Sequence, residues 1–279
     1  MMQMICAQNE LLAILPLWLR PELNDSAINS IQEIRLRLRA PVELVLRNST
    51  KWIKRNVTKE DIQFCINAAS RYSPWNAASA SQGFLTASGG HRIGICGEAV
   101  CKDGQMSGIR DVTSLCIRVA KDFSGISEGS PINGSLLILG APGWGKTTLL
   151  RDLIRRISQA GDHVAVVDER HELFPSDIFD HGPRTDILLG CPKGQGIDAV
   201  LRTMGPDWIA VDEITGESDC NALLRTGWCG VKLLATAHAA SYRDYISRPV
   251  YRALVDSRLF DTIVVLKKDK TWCIERSRQ

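Results

Sequence analysis

The sequence predicts an α/β protein in two parts: a C-terminal domain on a largely parallel sheet, residues 135–279, preceded by a smaller α+β domain, residues 1–124. Three observations predict it. From residue 135 onward, short aliphatic runs alternate with helix-patterned stretches, the order that a parallel sheet requires. A glycine-rich loop joins the first of these runs to the first helix. Between the two halves, residues 125–134 concentrate Gly, Ser, Pro and Asn and read as a linker. Composition agrees with an ordinary globular chain, at 44% hydrophobic and 23% charged residues. The nine cysteines form no C-x-x-C pair, which argues for reduced thiols rather than a disulfide framework or a zinc site.

In the first part, residues 11–19 are apolar but too few to span a bilayer, and no Lys or Arg precedes them as in a signal peptide. A core helix is expected there, and no direct membrane insertion. Ile34, Leu36 and Leu38 alternate with Arg35, Arg37 and Arg39, so a strand would set three arginines on one face and three aliphatics on the other. Pro41 allows a turn into a strand at 42–46. Thr58 with Asp61 three residues later marks a helix start, and Ile62, Cys65, Ile66 and Ala69 supply its apolar stripe. Residues 83–97 and 114–120 read as further strands.

In the second part, strands are expected at 135–139, 164–168, 208–212, 231–236 and 262–266, with 272–275 completing an edge hairpin. Helices are expected at 146–157, 197–204, 217–226 and 247–255. The loop after the first strand, Gly140-Ala141-Pro142-Gly143-Trp144-Gly145-Lys146-Thr147, fits G-x-x-x-x-G-K-[ST] and runs on into Thr148. Its glycines free the backbone N–H groups to point at a polyphosphate, Lys146 brings a positive charge, and the Thr147 hydroxyl suits Mg²⁺. The strand at 208–212 ends in Asp212 and Glu213, placed to hold a Mg²⁺ shell and to activate a water. A second strand ends in Asp168 and Glu169 with Glu172 close behind, and a third ends in Thr236 and His238. Polar groups at the carboxyl edge of a parallel sheet stand where ligands bind.

Glycine loop, acidic strand end, Asp-Glu strand end and Thr-x-His strand end occur here in chain order. That series resembles the secretion-superfamily ATPases, ring motors of type II and type IV secretion and of pilus assembly. Their Walker A, Asp box, Walker B and His box correspond to 140–147, 168–172, 209–213 and 236–238, and the stretch 201–207 is similar to their Leu-Arg-x-x-Pro-Asp run. The resemblance implies a RecA-like P-loop NTPase domain. Glu33-Ile34-Arg35-Leu36-Arg37, Gly89-Gly90-His91-Arg92-Ile93-Gly94, the segment at 115–120 and Gly190-Cys191-Pro192-Lys193 are similar to the superfamily's sporulation branch.

What that resemblance implies is an ATPase that uses ATP and Mg²⁺ and works as a ring, a hexamer in the family's manner. Its partners would be membrane proteins of a channel between mother cell and forespore, and its location cytoplasmic and peripheral to the membrane. Glu169, Glu172 and His238 would join Lys146, Asp212 and Glu213 in catalysis. Arg92 and Arg118 would approach the phosphates from the N-terminal domain, and Arg202 would sense nucleotide. The chain departs from the wider superfamily in carrying Asp212 where many members have Gly, and Val166 where the Asp box has Thr. The other reading is a nucleic-acid-stimulated RecA-like ATPase. A net charge of +3 and the lack of aromatics interleaved with Arg35, Arg37 and Arg39 weigh against it. A GTP switch lacks its Asn-Lys-x-Asp motif.

Overall fold

In the computed structural model, residues 3–23, 25–46, 49–71 and 83–275 are described. The chain divides into two units, one of residues 4–122 with 175–179, the other of residues 1–3, 123–174 and 180–279.

Between residues 3 and 124 the elements are β1 (Gln3–Cys6), α1 (Gln8–Ala13), α2 (Asp25–Ser30), β2 (Ile31–Arg37), β3 (Pro41–Leu46), β4 (Thr50–Asn56), α3 (Lys59–Ala69), β5 (Phe84–Thr86), β6 (Arg92–Lys102), β7 (Gln105–Arg118) and β8 (Lys121–Ser124), with β1 and β8 straddling the boundaries of the first unit. Six of these strands form an antiparallel sheet in the order β4-β3-β2-β7-β6-β5. Alternation works as expected: Ile34, Leu36, Val42, Leu44, Ile93, Leu115 and Ile117 are buried in one core with Ile62 and Cys65 of α3. The predicted helix start is a full capping box. Thr58 Oγ1 accepts from the Asp61 N–H at 3.2 Å and Asp61 Oδ2 accepts from the Thr58 N–H at 2.9 Å.

Four local expectations need correction. Leu11, Ile14, Leu15 and Leu19 of the apolar run at 11–19 are buried while Leu17 is exposed, and its helix stops at Ala13, ahead of Pro16, with the rest in turns. Strand β2 ends at Arg37, and Arg39 has a left-handed φ of 62°, so only two arginines share the strand face. Both are neutralised: Arg35 meets Glu33 and Arg37 meets Glu43, each at 2.6 Å. The strand expected at 83–97 is broken by a turn at Ser88–Gly90, where a Cβ on Gly89 would come 2.4 Å from that of Ala7. The strand expected to begin at 114 begins at Gln105, because β6 and β7 are one hairpin. Asp103 and Gly104, at φ 54° and 76°, make its two-residue turn.

The second unit contains β9 (Leu136–Leu139), α4 (Lys146–Ala160), β10 (Val164–Asp168), β11 (Thr185–Leu189), α5 (Lys193–Thr203), β12 (Trp208–Glu213), α6 (Glu217–Trp228), β13 (Lys232–Ala237), α7 (Tyr242–Ser247), α8 (Arg252–Asp256), β14 (Thr262–Leu266) and β15 (Trp272–Glu275). The sheet order is β11-β10-β12-β13-β9-β14-β15, parallel throughout except for β15. Strands β9, β10 and β14 are wholly buried, as strands covered on both faces are. Leu149, Leu150, Leu153, Ile154 and Ile157 line the buried side of α4, which ends at Gly161 with φ 111°. The helix expected at 247–255 is split into α7 and α8. Arg248 precedes Pro249 and is extended, with ψ 120°, which stops the helix.

The segment expected as a linker is tied to α4 from its first residues. Asp152 accepts from the N–H groups of Gly125 at 3.0 Å and Ser127 at 2.7 Å, and Arg156 donates to the carbonyls of Ser127 and Ser130. Among the described residues, no helix is long and apolar enough to cross a membrane.

Candidate functional site

Because β9, β10, β12 and β13 run parallel, their carboxyl ends bring four loops to one edge of the sheet. The loop after β9 turns on Gly143 and Gly145, at φ 75° and 103°, with open space where a Cβ would stand. It delivers Lys146 to the first turn of α4. The Lys146 side chain is largely withdrawn from water, and that burial lowers the pKa of its ammonium, against the opposing pull of Glu213 and Asp212. Its Nζ donates to the carbonyl of Ala141 at 3.4 Å and to His238 Nδ1 at 2.9 Å. An ammonium donating to Nδ1 leaves the ring proton on Nε2, which lies 2.9 Å from Glu213 Oε2. Lys146, His238 and Glu213 thus form one hydrogen-bonded chain across three strand ends. Thr148 follows half-buried on α4, and Lys270 reaches the loop from the β14–β15 turn, 3.3 Å from the Gly143 carbonyl.

Asp212 and Glu213 are adjacent yet serve different neighbours. Thr147 Oγ1 donates to Asp212 Oδ1 at 3.1 Å, whereas Glu213 faces His238. A bulge makes this possible: Val211 pairs with Ala235 and Glu213 with Thr236, so Asp212 is the extra residue in β12. Burial pushes the Asp212 carboxyl up to about 6, helped by the negative charges of Glu172, Asp168 and Glu213 and opposed by the Thr147 hydrogen bond.

From about pH 4 to 6 the unfolded chain ionises Asp212 while the folded site keeps its proton, so folding weakens by about 3 kcal/mol. Above that window the loss is constant. Asp212→Asn is therefore expected to raise the melting temperature at pH 8, without nucleotide or divalent cation, and to leave it unchanged near pH 3.5. Thermal melts at both pH values check it.

The acids after β10 have separate tasks. Asp168 is fully buried, and its carboxylate accepts from the backbone N–H groups of Glu172, Leu173 and Phe174 at 2.9, 2.9 and 3.3 Å. Arg151 of α4 takes the carbonyls of Glu172 and Leu173, so the loop backbone is held from both sides. Asp168 is a loop anchor. Asp168→Ala would strand three N–H donors in the interior and is expected to cost about 3 kcal/mol of stability, read as a fall in urea midpoint. Glu169 instead pairs with Lys193, at 2.7 Å. A cleft at this edge is lined by Val167, Asp168, Glu169, Arg170, Lys193, Asp212 and Glu213.

One predicted site residue lies away from this edge of the sheet, and two belong to the other unit. Arg202 is exposed in the last turn of α5, roughly 14 Å along the helix from the Lys193 end that lines the cleft, so it is not brought to it. Arg92 and Arg118 belong to the other unit, where they stand opposite each other on β6 and β7. The Arg92 guanidinium lies 4.5 Å from the centre of the Phe84 ring, and Arg118 Nε is 3.6 Å from Glu33. Lys193 is the cleft residue that motif reasoning did not assign. Pro192 caps α5, so Lys193 is the first residue of the helix.

A family model described as sporulation stage III, protein AA, matches residues 6–274. The chain belongs to this family. It is 34% identical to stage III sporulation protein AA of Bacillus subtilis (strain 168), over 94% of this chain and 92% of that protein. It is 28% identical to protein SEEDLING PLASTID DEVELOPMENT 1 of Arabidopsis thaliana, over 88% of this chain but only 35% of that longer protein. Among solved structures, it is similar to the ATPase DotB of Yersinia pseudotuberculosis, with TM-score 0.63, 15% identity, and 94% and 79% of the two chains covered. It is also similar to the pilus retraction motor PilT with bound ADP, with TM-score 0.62, 17% identity, and 91% and 82% covered. At these identities what the chain shares with DotB and PilT is the fold.

Proposed function

We propose that this family member is an ATP-hydrolysing motor, with an N-terminal domain at 1–124, a linker at 125–134 and an ATPase domain at 135–279. The observation that carries the reading is the hydrogen-bonded set at the sheet edge: Thr147 to Asp212, and Lys146 through His238 to Glu213. These contacts join the glycine loop to two other strand ends, the arrangement that hydrolysis of a triphosphate requires. The backbone of 140–148 and Lys146 bind the phosphates. Glu213, steered by the Nε2–H of His238, accepts the proton of the attacking water. Glu169 lines the same cleft, and the charge of Glu172 acts on Asp212.

The residues fit Mg²⁺. Thr147 and Asp212 offer two hard oxygen donors 3.1 Å apart, and an acid whose carboxyl is pushed up to about 6 has most to gain from a cation. When bound, the ion supplies neutralising charge to the phosphate oxygens. Arg92 and Arg118, paired across two strands, are the arginines we assign to the terminal phosphoryl group.

We further read the chain as a ring oligomer, a hexamer, acting on membrane proteins of the channel between mother cell and forespore, and bound to the membrane only through them. The sporulation name of its family and the motor description of PilT support this. The nucleic-acid reading loses its main feature, since Arg35 and Arg37 are spent on Glu33 and Glu43. The deciding experiment is phosphate release from Mg-ATP by the purified chain, followed alongside its size in solution. Turnover that rises with assembly supports the motor; a chain that assembles but releases no phosphate refutes it.

A further inference from the structure

Lys193 opens α5 and its side chain is 5% exposed. An ammonium this far from water persists only with charged partners, because desolvation otherwise outweighs what it gains. It has two, and they come from different elements. Glu169 Oε2, just past the end of β10, lies 2.7 Å away, and Asp219 Oδ2, in the first turn of α6, lies 3.8 Å away. Asp219 is itself fixed. The same Oδ2 accepts from the N–H and the hydroxyl of Thr215 at 2.9 and 3.0 Å, two residues after Glu213. Lys193 therefore stands between the segment carrying Glu169 and the segment that follows Glu213.

The cleft explains why this tie bears on chemistry rather than on folding alone. Four acidic residues line it, Asp168, Glu169, Asp212 and Glu213, against two cations, with the Asp168 oxygens spent on backbone N–H groups. Arg170 is exposed, so Lys193 is the buried cation among them. Glu169 is 37% exposed, so one half of its pair with Lys193 faces open space in which a substrate can lie. Without the ammonium, Glu169 and Asp219 would be left as like charges at the wall of the cleft, and the more exposed of the two would turn away.

We propose that Lys193 is a positioning residue of the ATP-hydrolysing site: its ammonium ties Glu169 to Asp219 and thereby holds the segments bearing Glu169 and Glu213 in a single arrangement around the cleft. This rests on the reading of that cleft as the site of ATP hydrolysis. A group that positions acids without touching the phosphates acts on the chemical step and leaves substrate binding nearly untouched.

Steady-state kinetics with Mg-ATP separate the outcomes. Lys193→Met keeps the length and removes the charge, and kcat is expected to fall tenfold or more while KM stays within threefold. Lys193→Arg, which restores a cation, recovers at least a third of the parent kcat. A Lys193→Met enzyme with the parent's kcat overturns the inference. So does a rise in KM at constant kcat, which would make Lys193 a phosphate contact. If Lys193→Met does not fold, Asp219→Asn carries the test, since asparagine still accepts from Thr215 but no longer attracts the ammonium. A kcat loss with KM held supports the tie, and parent-like kinetics refute it. Absence of turnover in the parent would instead sink the proposed function, so the two failures are told apart.

Discussion

Replacing Lys146 by alanine is expected to lower ATP turnover by about a hundredfold or more, the scale for losing one charged donor to a phosphoryl group. The effect is large because the side chain has two duties. Its ammonium is the positive charge at the mouth of the glycine loop, and it also fixes the ring of His238 by donating to Nδ1. Removing it takes charge from the phosphates and releases the imidazole that steers Glu213. Folding should not suffer. Burial already disfavours the charged form of this lysine, so the alanine variant is expected to melt at or above the parent temperature. Phosphate release and a thermal melt on the same sample check both halves. A variant that turns over like the parent would place hydrolysis elsewhere.

Glu213→Gln is expected to separate binding from chemistry. Glutamine has the same shape and can still accept from His238 Nε2, so the local geometry is preserved. It cannot take a proton from water at neutral pH. Turnover should fall by about a hundred- to ten-thousandfold, while Mg-ATP binds as tightly as to the parent. Calorimetric binding together with single-turnover phosphate release reads the two quantities separately. Equal losses of affinity and rate would make Glu213 a ligand of the nucleotide or its metal rather than a base.

Much of this could be read in the amino-acid order, and the parts that could not have physical reasons. The second unit was the clearer, because buried parallel strands are unbroken aliphatic runs: those at 164–168 and 262–266 were expected with the bounds they have. Strand β11 gives no such signal, being a half-exposed edge strand, Thr185–Leu189, without an aliphatic run. In the first unit the Asp103-Gly104 pair is a hairpin signal in plain view, but the long arm around it is largely exposed and shows little alternation. At the site, the spacing of the glycine loop and the Asp212-Glu213 pair carried the chemistry directly. Spacing could not divide the labour among Asp168, Glu169 and Glu172. That depends on which backbone N–H groups a carboxylate finds after folding, and Asp168 finds three. Nor could it expose Lys193, whose partners lie 24 and 26 residues away in the chain.

The extra residue at the tip of β12 has a bearing on any attempt to transplant this chemistry. Two neighbouring acids grafted onto an unbulged strand would splay to opposite sides of the sheet, one toward the helices on each side. The functional unit to be copied is therefore a three-residue stretch, Val211-Asp212-Glu213, laid against the two residues Ala235 and Thr236, and not a dipeptide. A scaffold lacking that mismatch in length would have the right letters and an inert tip.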